Sequence, residues 1–263
     1  MLLLLIVIGA VAGLLGGLLG ISGGIITVPA LVYLFKYYGF PSVNLLQLAI
    51  GTSLAAMVFN TIGSMIGHHV VKGAIQWSVV KKMLPGLVLG CLVGAYFAHI
   101  VPSSILELIF GLFAIILGVN FYRYQGLHRL GPDKIPLSSH LNGLGFGVGA
   151  ISNILGIGGG TMTVPLFVRL KVNLKSAVAT STVTGFIITL IGAVAYLILG
   201  LGETYYESTL GFIYLPAFYI LAPATCIFAP LGAKLSHKMN TDHLKKVFAI
   251  CLMVVGALMV LKI

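Results

Sequence analysis

The chain has 263 residues, 59% of them hydrophobic and only 8% charged, with a formal net charge of +10. Soluble domains carry about 25% charged residues, so the composition excludes one and calls for a helical protein that crosses a bilayer several times. A transmembrane β-barrel is excluded too, because the apolar runs are continuous rather than alternating. The positive charge would suit a nucleic-acid binder, but Lys and Arg sit in short segments between apolar runs. That distribution orients membrane proteins, so the lipid bilayer and not a nucleic acid is the expected surrounding.

Apolar segments run over 2–20, 25–38, 43–67, 76–99 and 104–122. After a polar linker at 123–136 they run over 137–155, 160–170, 175–200, 207–235 and 241–261. The opening Leu2–Leu19 run has the look of a signal peptide. It lacks a basic leader, however, and aligns with the internal stretch Leu137–Leu155, so it is read as part of the fold.

The first apolar segment ends in a glycine cluster, Gly20-Ile-Ser-Gly-Gly-Ile-Ile-Thr-Val-Pro29. The same pattern returns 136 positions later as Gly156-Ile-Gly-Gly-Gly-Thr-Met-Thr-Val-Pro165, with seven of ten residues identical. Such a cluster interrupts a membrane helix and frees backbone N–H groups that hydrocarbon cannot satisfy. It is tolerated only where it is buried in protein or lines a watery cavity. Matching breaks in matching halves point to a transporter's binding site. Pro29 and Pro165 are read as lying in the first turn of the arm that follows, where a missing N–H costs nothing.

The third segment carries Ala49-Ile-Gly-Thr-Ser53, which pairs with Ala177-Val-Ala-Thr-Ser181 in the eighth. In the fourth, Pro85, Gly94, Ala95 and His99 pair with Pro223, Gly232, Ala233 and His237; Gly86, Gly90 and Gly94 form a small-residue packing stripe. In the fifth, Leu106, Phe110 and Gly118 pair with Leu244, Phe248 and Gly256. Ser104 with Glu107 reads as a capping box that opens this segment.

The expected fold is therefore an all-α polytopic membrane protein of two inverted repeats. Each repeat is a Gly-broken re-entrant hairpin plus three transmembrane helices: residues 1–122 with hairpin 2–38, then 137–263 with hairpin 137–170. The inversion follows from charge. Thirteen of the fifteen Lys and Arg residues fall on one set of loops, leaving Lys36 and Lys262 on the other. The positive-inside rule then puts the 123–136 linker in the cytoplasm and both termini outside the cell membrane.

A helix opening after each break offers unpaired N–H groups and the positive end of its dipole, which together suit an anion. The candidate substrate-binding residues are Gly20, Ser22, Gly23, Gly24 and Thr27 of the first break and Gly156, Gly158, Gly159, Gly160, Thr161 and Thr163 of the second. Thr52, Ser53, Thr180 and Ser181 are expected to complete the cage. No charged residue lies near the middle of a span, so the donors are neutral and suit a small, weakly basic oxyanion. Cys91, Cys226 and Cys251 show no CxxC spacing and read as packing thiols, with no metal or cofactor expected. The histidines, Trp77 and the tyrosines near segment ends read as interfacial.

The doubled Gly-Ile-x-Gly-Gly-x-x-x-Val-Pro, each followed by an Ala-x-x-Thr-Ser span, resembles the sulfite exporter TauE/SafE family, also called TSUP. The resemblance covers essentially the whole chain. It implies transport of sulfur-containing anions such as sulfite, thiosulfate, sulfoacetate or other organosulfonates. Two readings compete. Gly20-Ile-Ser22-Gly23 matches the GxSG signature of rhomboid-like intramembrane serine proteases, which would need a histidine beside Ser22. A structural membrane assembly factor would show no flux at all.

Overall fold

The computed structural model of the chain describes residues 1–19, 23–68, 75–123, 140–170, 172, 174–203, 207–236 and 241–261. The first half holds α1 (Leu2–Leu19), α2 (Gly24–Tyr37), α3 (Leu45–His68), α4 (Trp77–Ile100) and α5 (Ser103–Arg123). The second holds α6 (Leu141–Leu155), α7 (Gly160–Arg169), α8 (Leu174–Leu199), the short strands β1 (Thr209–Leu210) and β2 (Ile213–Tyr214), α9 (Leu215–Ser236) and α10 (Thr241–Leu261). Among the described residues, α3, α4, α5, α8 and α9 are long and apolar enough to cross a bilayer. The protein is a helical, polytopic membrane protein.

Three local expectations are corrected. The segment expected over 207–235 opens as an antiparallel β-hairpin, and its helix begins only at Leu215. Ser208 and Gly211 take positive φ there, and the Leu215 N–H closes the turn on the Ser208 carbonyl at 3.0 Å. Ser104 and Glu107 form no capping box, because α5 starts at Ser103 and Glu107 lies beyond its first turn. Glu107 instead pairs with Lys36 at 3.1 Å, while the Ser103 hydroxyl donates to Gln47 Oε1 at 2.7 Å. Buried Gln47 in turn donates to the Ala98 and Val101 carbonyls, which ties down the α4–α5 turn. Pro29 and Pro165 are each the sixth residue of their helix, not in the first turn. Each therefore leaves a carbonyl four residues back, at Ile25 and Thr161, without its helical donor.

Packing interleaves the halves. α4 lies along α6 and α9 lies along α1; α3 meets α9 and α8 meets α4; α2 rests on α3 and α7 on α8. Replacing each helix by its counterpart in the other half maps every one of these pairings onto another. Glycines set the closest approaches: Gly86, Gly90 and Gly94 of α4 meet Asn142, Phe146 and Ala150 of α6, so those two helices run parallel. In place of hydrophobic association, close van der Waals packing by small residues holds helices together in lipid.

Two pairs of corresponding helices, α3 with α8 and α5 with α10, cross antiparallel. Gly51, Leu54 and Thr61 of α3 lie against Tyr196, Gly192 and Gly185 of α8 in that order. Gly111 and Gly118 of α5 likewise lie against Gly256 and Ala249 of α10. α3 is the central helix, with 83% of its membrane window buried, against 33% for peripheral α5.

α1 and α2 form an antiparallel pair: the Met1 ammonium donates to the Tyr38 hydroxyl, so the outer ends of both helices share one face. α6 and α7 do the same, with Leu141 packed among Phe167 and Val168. At 1.5 Å per residue, the 10-residue α7 is about 15 Å long, half a hydrocarbon core of about 30 Å.

Candidate functional site

The second break is built by backbone geometry. Gly156 caps α6 in the left-handed region at φ 64°, and the Ile157 N–H returns to the Ser152 carbonyl at 2.9 Å. A Cβ at Gly156 would also fall 2.8 Å from Ile50 Cγ2 and 3.0 Å from Val28 Cγ2. Only glycine meets both demands. Gly158 and Gly159 follow, both buried, and α7 starts at Gly160.

The repeated threonines turn inward on their own helices. Thr163 Oγ1 donates to the Gly159 carbonyl at 2.8 Å, and Thr27 Oγ1 donates to the Gly23 carbonyl at 3.0 Å. Thr161 Oγ1 reaches the Gly158 carbonyl only at 3.5 Å. Thr27 and Thr163 thus hold the two breaks in shape. Gly20 and Ser22 lie outside the described residues.

The two breaks meet. A Cβ at Gly24 would fall 2.6 Å from the Gly156 carbonyl oxygen and 2.9 Å from Met57 Sδ. At Gly24 the missing side chain therefore lets one break rest on the other, and Met57 fills what room is left. The corresponding place in the second half is different. Gly185 follows Ser181 by four residues, as Met57 follows Ser53, and it carries no side chain. A Cβ built there meets nothing nearer than Gly160 N at 3.7 Å, Gly159 N at 3.8 Å and Thr61 Cγ2 at 3.8 Å. A Cβ there would stand in ordinary contact with the start of α7, so this position sets no side chain into the second break. There the helix end presents its positive dipole. Neither Met57 nor Gly185 was singled out from sequence. The signal was present in the two Thr-Ser-x-x-x segments, at a place where the halves differ.

Thr52 and Thr180 serve the scaffold. Thr52 Oγ1 donates to the Leu48 carbonyl at 2.7 Å and accepts the Tyr214 N–H at 2.9 Å, and Thr180 Oγ1 accepts the Gln76 N–H at 3.0 Å. Each threonine secures the residue that precedes α9 or α4. Their neighbours behave otherwise. Ser53 is 0% exposed and Ser181 1%, and neither hydroxyl has a partner among the described residues. Asn60 Oδ1, two turns along α3 from Ser53, is also buried without one. Leaving such groups unsatisfied costs about 1–3 kcal/mol each, so their place on the helix faces that carry Met57 and Gly185 suits a polar ligand.

These two classes of hydroxyl predict opposite mutational signatures. Thr52→Val or Thr180→Val strands a backbone N–H and should cost about 1–3 kcal/mol of stability, read as a lower melting temperature. Ser53→Ala or Ser181→Ala should leave the melting temperature unchanged or raised and weaken anion binding roughly ten- to hundred-fold, the equivalent of 1.4–2.8 kcal/mol. Destabilisation by the serine changes with intact binding would exclude both serines from the site.

Charges stay at the periphery. The Lys36–Glu107 pair and the 3.7 Å approach of His99 to Glu203 lie at helix ends, away from the breaks.

Comparison with known proteins bears on the same features. Residues 5–259 match the family model described as Sulfite exporter TauE/SafE. A protein of Haemophilus influenzae named "Probable membrane transporter protein" is 34% identical over 99% of this chain and 98% of its own. Proteins with the corresponding name from Methanocaldococcus jannaschii and Bacillus subtilis are 29% and 28% identical, each over at least 95% of both chains. No solved structure matches the chain.

Proposed function

The chain belongs to the sulfite exporter TauE/SafE family, and from that premise we propose that it exports small sulfur-containing oxyanions across the cell membrane. Sulfite, thiosulfate, and sulfoacetate or other organosulfonates are the substrate class. The relatives are named as membrane transporters, which favours transport over the protease reading of Ser22 or a structural assembly role.

The observation that carries the proposal is that Gly185 sets no side chain before the second break, whereas Met57 fills the first. Unpartnered Ser181 lies one turn away on the same helix. An oxyanion there would accept from backbone and hydroxyl donors without meeting a fixed charge. Gly158 and Thr161 border the same break.

In the bilayer the two helical hairpins are re-entrant, one from each face, and the halves are inverted repeats with both termini outside. The antiparallel crossings of α3 with α8 and α5 with α10 support the inversion, as does the thirteen-to-two division of Lys and Arg. Alternating access then follows from relative motion of the repeats around the shared site.

The sequence places no carboxylate at the middle of a span to hold Na⁺ or relay a proton. The membrane potential is then the driving force. Moving one negative charge outward is favoured by about 2.3 kcal/mol per 100 mV, so about 150 mV sustains a gradient of several hundred-fold. Proteoliposomes loaded with sulfite, thiosulfate or sulfoacetate should show flux that follows a K⁺/valinomycin potential of either sign. Flux strictly dependent on a Na⁺ or proton gradient would overturn the uncoupled mechanism; absence of flux for all three anions would overturn the substrate class.

A further inference from the structure

Helices α5 and α10 form a closely packed pair, with α10 touching α2 of the first hairpin and α5 touching α6 of the second. On the first-hairpin side, Leu106 and Phe110 of α5 and Phe248 and Leu252 of α10 share one apolar cluster with Leu31 and Phe35 of α2. The Lys36–Glu107 ion pair reinforces that contact. The apolar clusters that contain α7 include no residue of α5 or α10. Between α5 and the second hairpin lies a cavity of about 470 Å³ instead.

The cavity follows one face of α7 from Thr161, at the break, to Arg169, at its outer end. The eight helical steps from Thr161 to Arg169 span about 12 Å. Among the described residues that line it, Arg169 is charged and none is a carboxylate. Its α6 wall includes Gly143 and Gly147, one turn apart, and a Cβ at either would meet nothing within 4 Å. Gly145 and Gly149, on the other face of α6, are pressed against the backbone of α4. The two cavity glycines thus widen a passage rather than seat a helix.

We propose that this cavity is the passage by which the anion moves between the Arg169 face of the membrane and the site at the second break, with Arg169 selecting for negative charge at its mouth. The inference rests on the site reading above and adds the route and its selectivity residue. A lone cation in a cleft with low-dielectric walls raises the local concentration of anions and lowers that of cations. The passage ends at Thr161, in the first turn of α7 and beside the second break.

The test uses full-length protein in liposomes with Cys91, Cys226 and Cys251 replaced by alanine and a single Met162→Cys within the passage. Anionic methanethiosulfonate ethylsulfonate and its cationic trimethylammonium analogue are applied from the Arg169 face, with rates normalised to a free thiol. Both should react, the anionic reagent faster. Arg169→Gln should lower the anionic-to-cationic rate ratio on the order of tenfold, and Arg169→Lys should preserve it. Gly147→Leu should fold normally and slow both reagents. Failure of both charged reagents while a membrane-soluble maleimide reacts would overturn the proposal and show a cavity filled by lipid acyl chains. A ratio unmoved by Arg169→Gln would overturn the role of Arg169. The labelling needs no transported substrate, so it fails or succeeds separately from the flux assays that test the site.

Discussion

Gly185→Met should abolish anion flux and leave a folded, membrane-inserted protein. At the matching position of the first half, Met57 packs into the break, its Sδ 2.9 Å from where a Gly24 Cβ would lie. A methionine at 185 would fill the second break in the same way. Its Cβ is accommodated, since the nearest atoms stand at 3.7 and 3.8 Å, which is ordinary contact. Replacing a mid-helix glycine by a good helix former also favours α8 by about 0.8–1.0 kcal/mol. The remainder of the side chain would push into the second break at the start of α7, where the proposal seats the anion. Size-exclusion profile and melting temperature should match the parent protein, while sulfite no longer raises the melting temperature and flux falls to background. Gly185→Ala adds only the Cβ and should give an intermediate flux. Wild-type flux in a folded Gly185→Met protein would place the site elsewhere.

Gly24→Val should have the opposite character, with the fold itself lost. A Cβ at Gly24 falls 2.6 Å from the Gly156 carbonyl oxygen, a backbone atom, and also overlaps Met57. Gly156 cannot retreat easily, because it is held in the left-handed conformation with Ile50 and Val28 against it. Overpacking of a close-packed interior costs about 1–3 kcal/mol, and here a β-branched side chain meets two obstacles, one of them rigid. The expected outcome is a large drop in melting temperature or aggregation on extraction. Truncating the flexible obstacle separates the two terms: Gly24→Ala with Met57→Ala should recover part of the stability, and Gly24→Val with Met57→Ala should not. A Gly24→Val protein with an unchanged melting curve would show that the two breaks do not touch.

The contrast between Gly24 and Gly185 marks the limit of reading the chain alone. Helix positions were legible because hydrocarbon obliges each spanning segment to satisfy its backbone by itself, so local composition shows where helices run. The ends of α1, α2, α7 and α10 fall within a residue or so of the apolar segments. The breaks were legible for the same reason, since a Gly cluster interrupts that local satisfaction and a repeat of it is conspicuous.

Other features depend on contacts between residues far apart in the chain, which no local pattern encodes. The threonines of the breaks and of the Thr-Ser pairs looked like ligand donors. Thr27 and Thr163 bond to their own helices, however, and Thr52 and Thr180 accept the N–H of Tyr214 and Gln76, 162 and 104 positions away. Glu107 looked like a local cap but lies beside Lys36, 71 positions distant. Composition, helix order, the doubled break and the charge division were determined by the sequence as written. Only tertiary packing decided which hydroxyls the protein consumes, that Met57 fills one break while Gly185 sets no side chain into the other, and that a cavity lies between α5 and α7. Local hydrogen bonding governs the first set, and the meeting of non-adjacent surfaces governs the second.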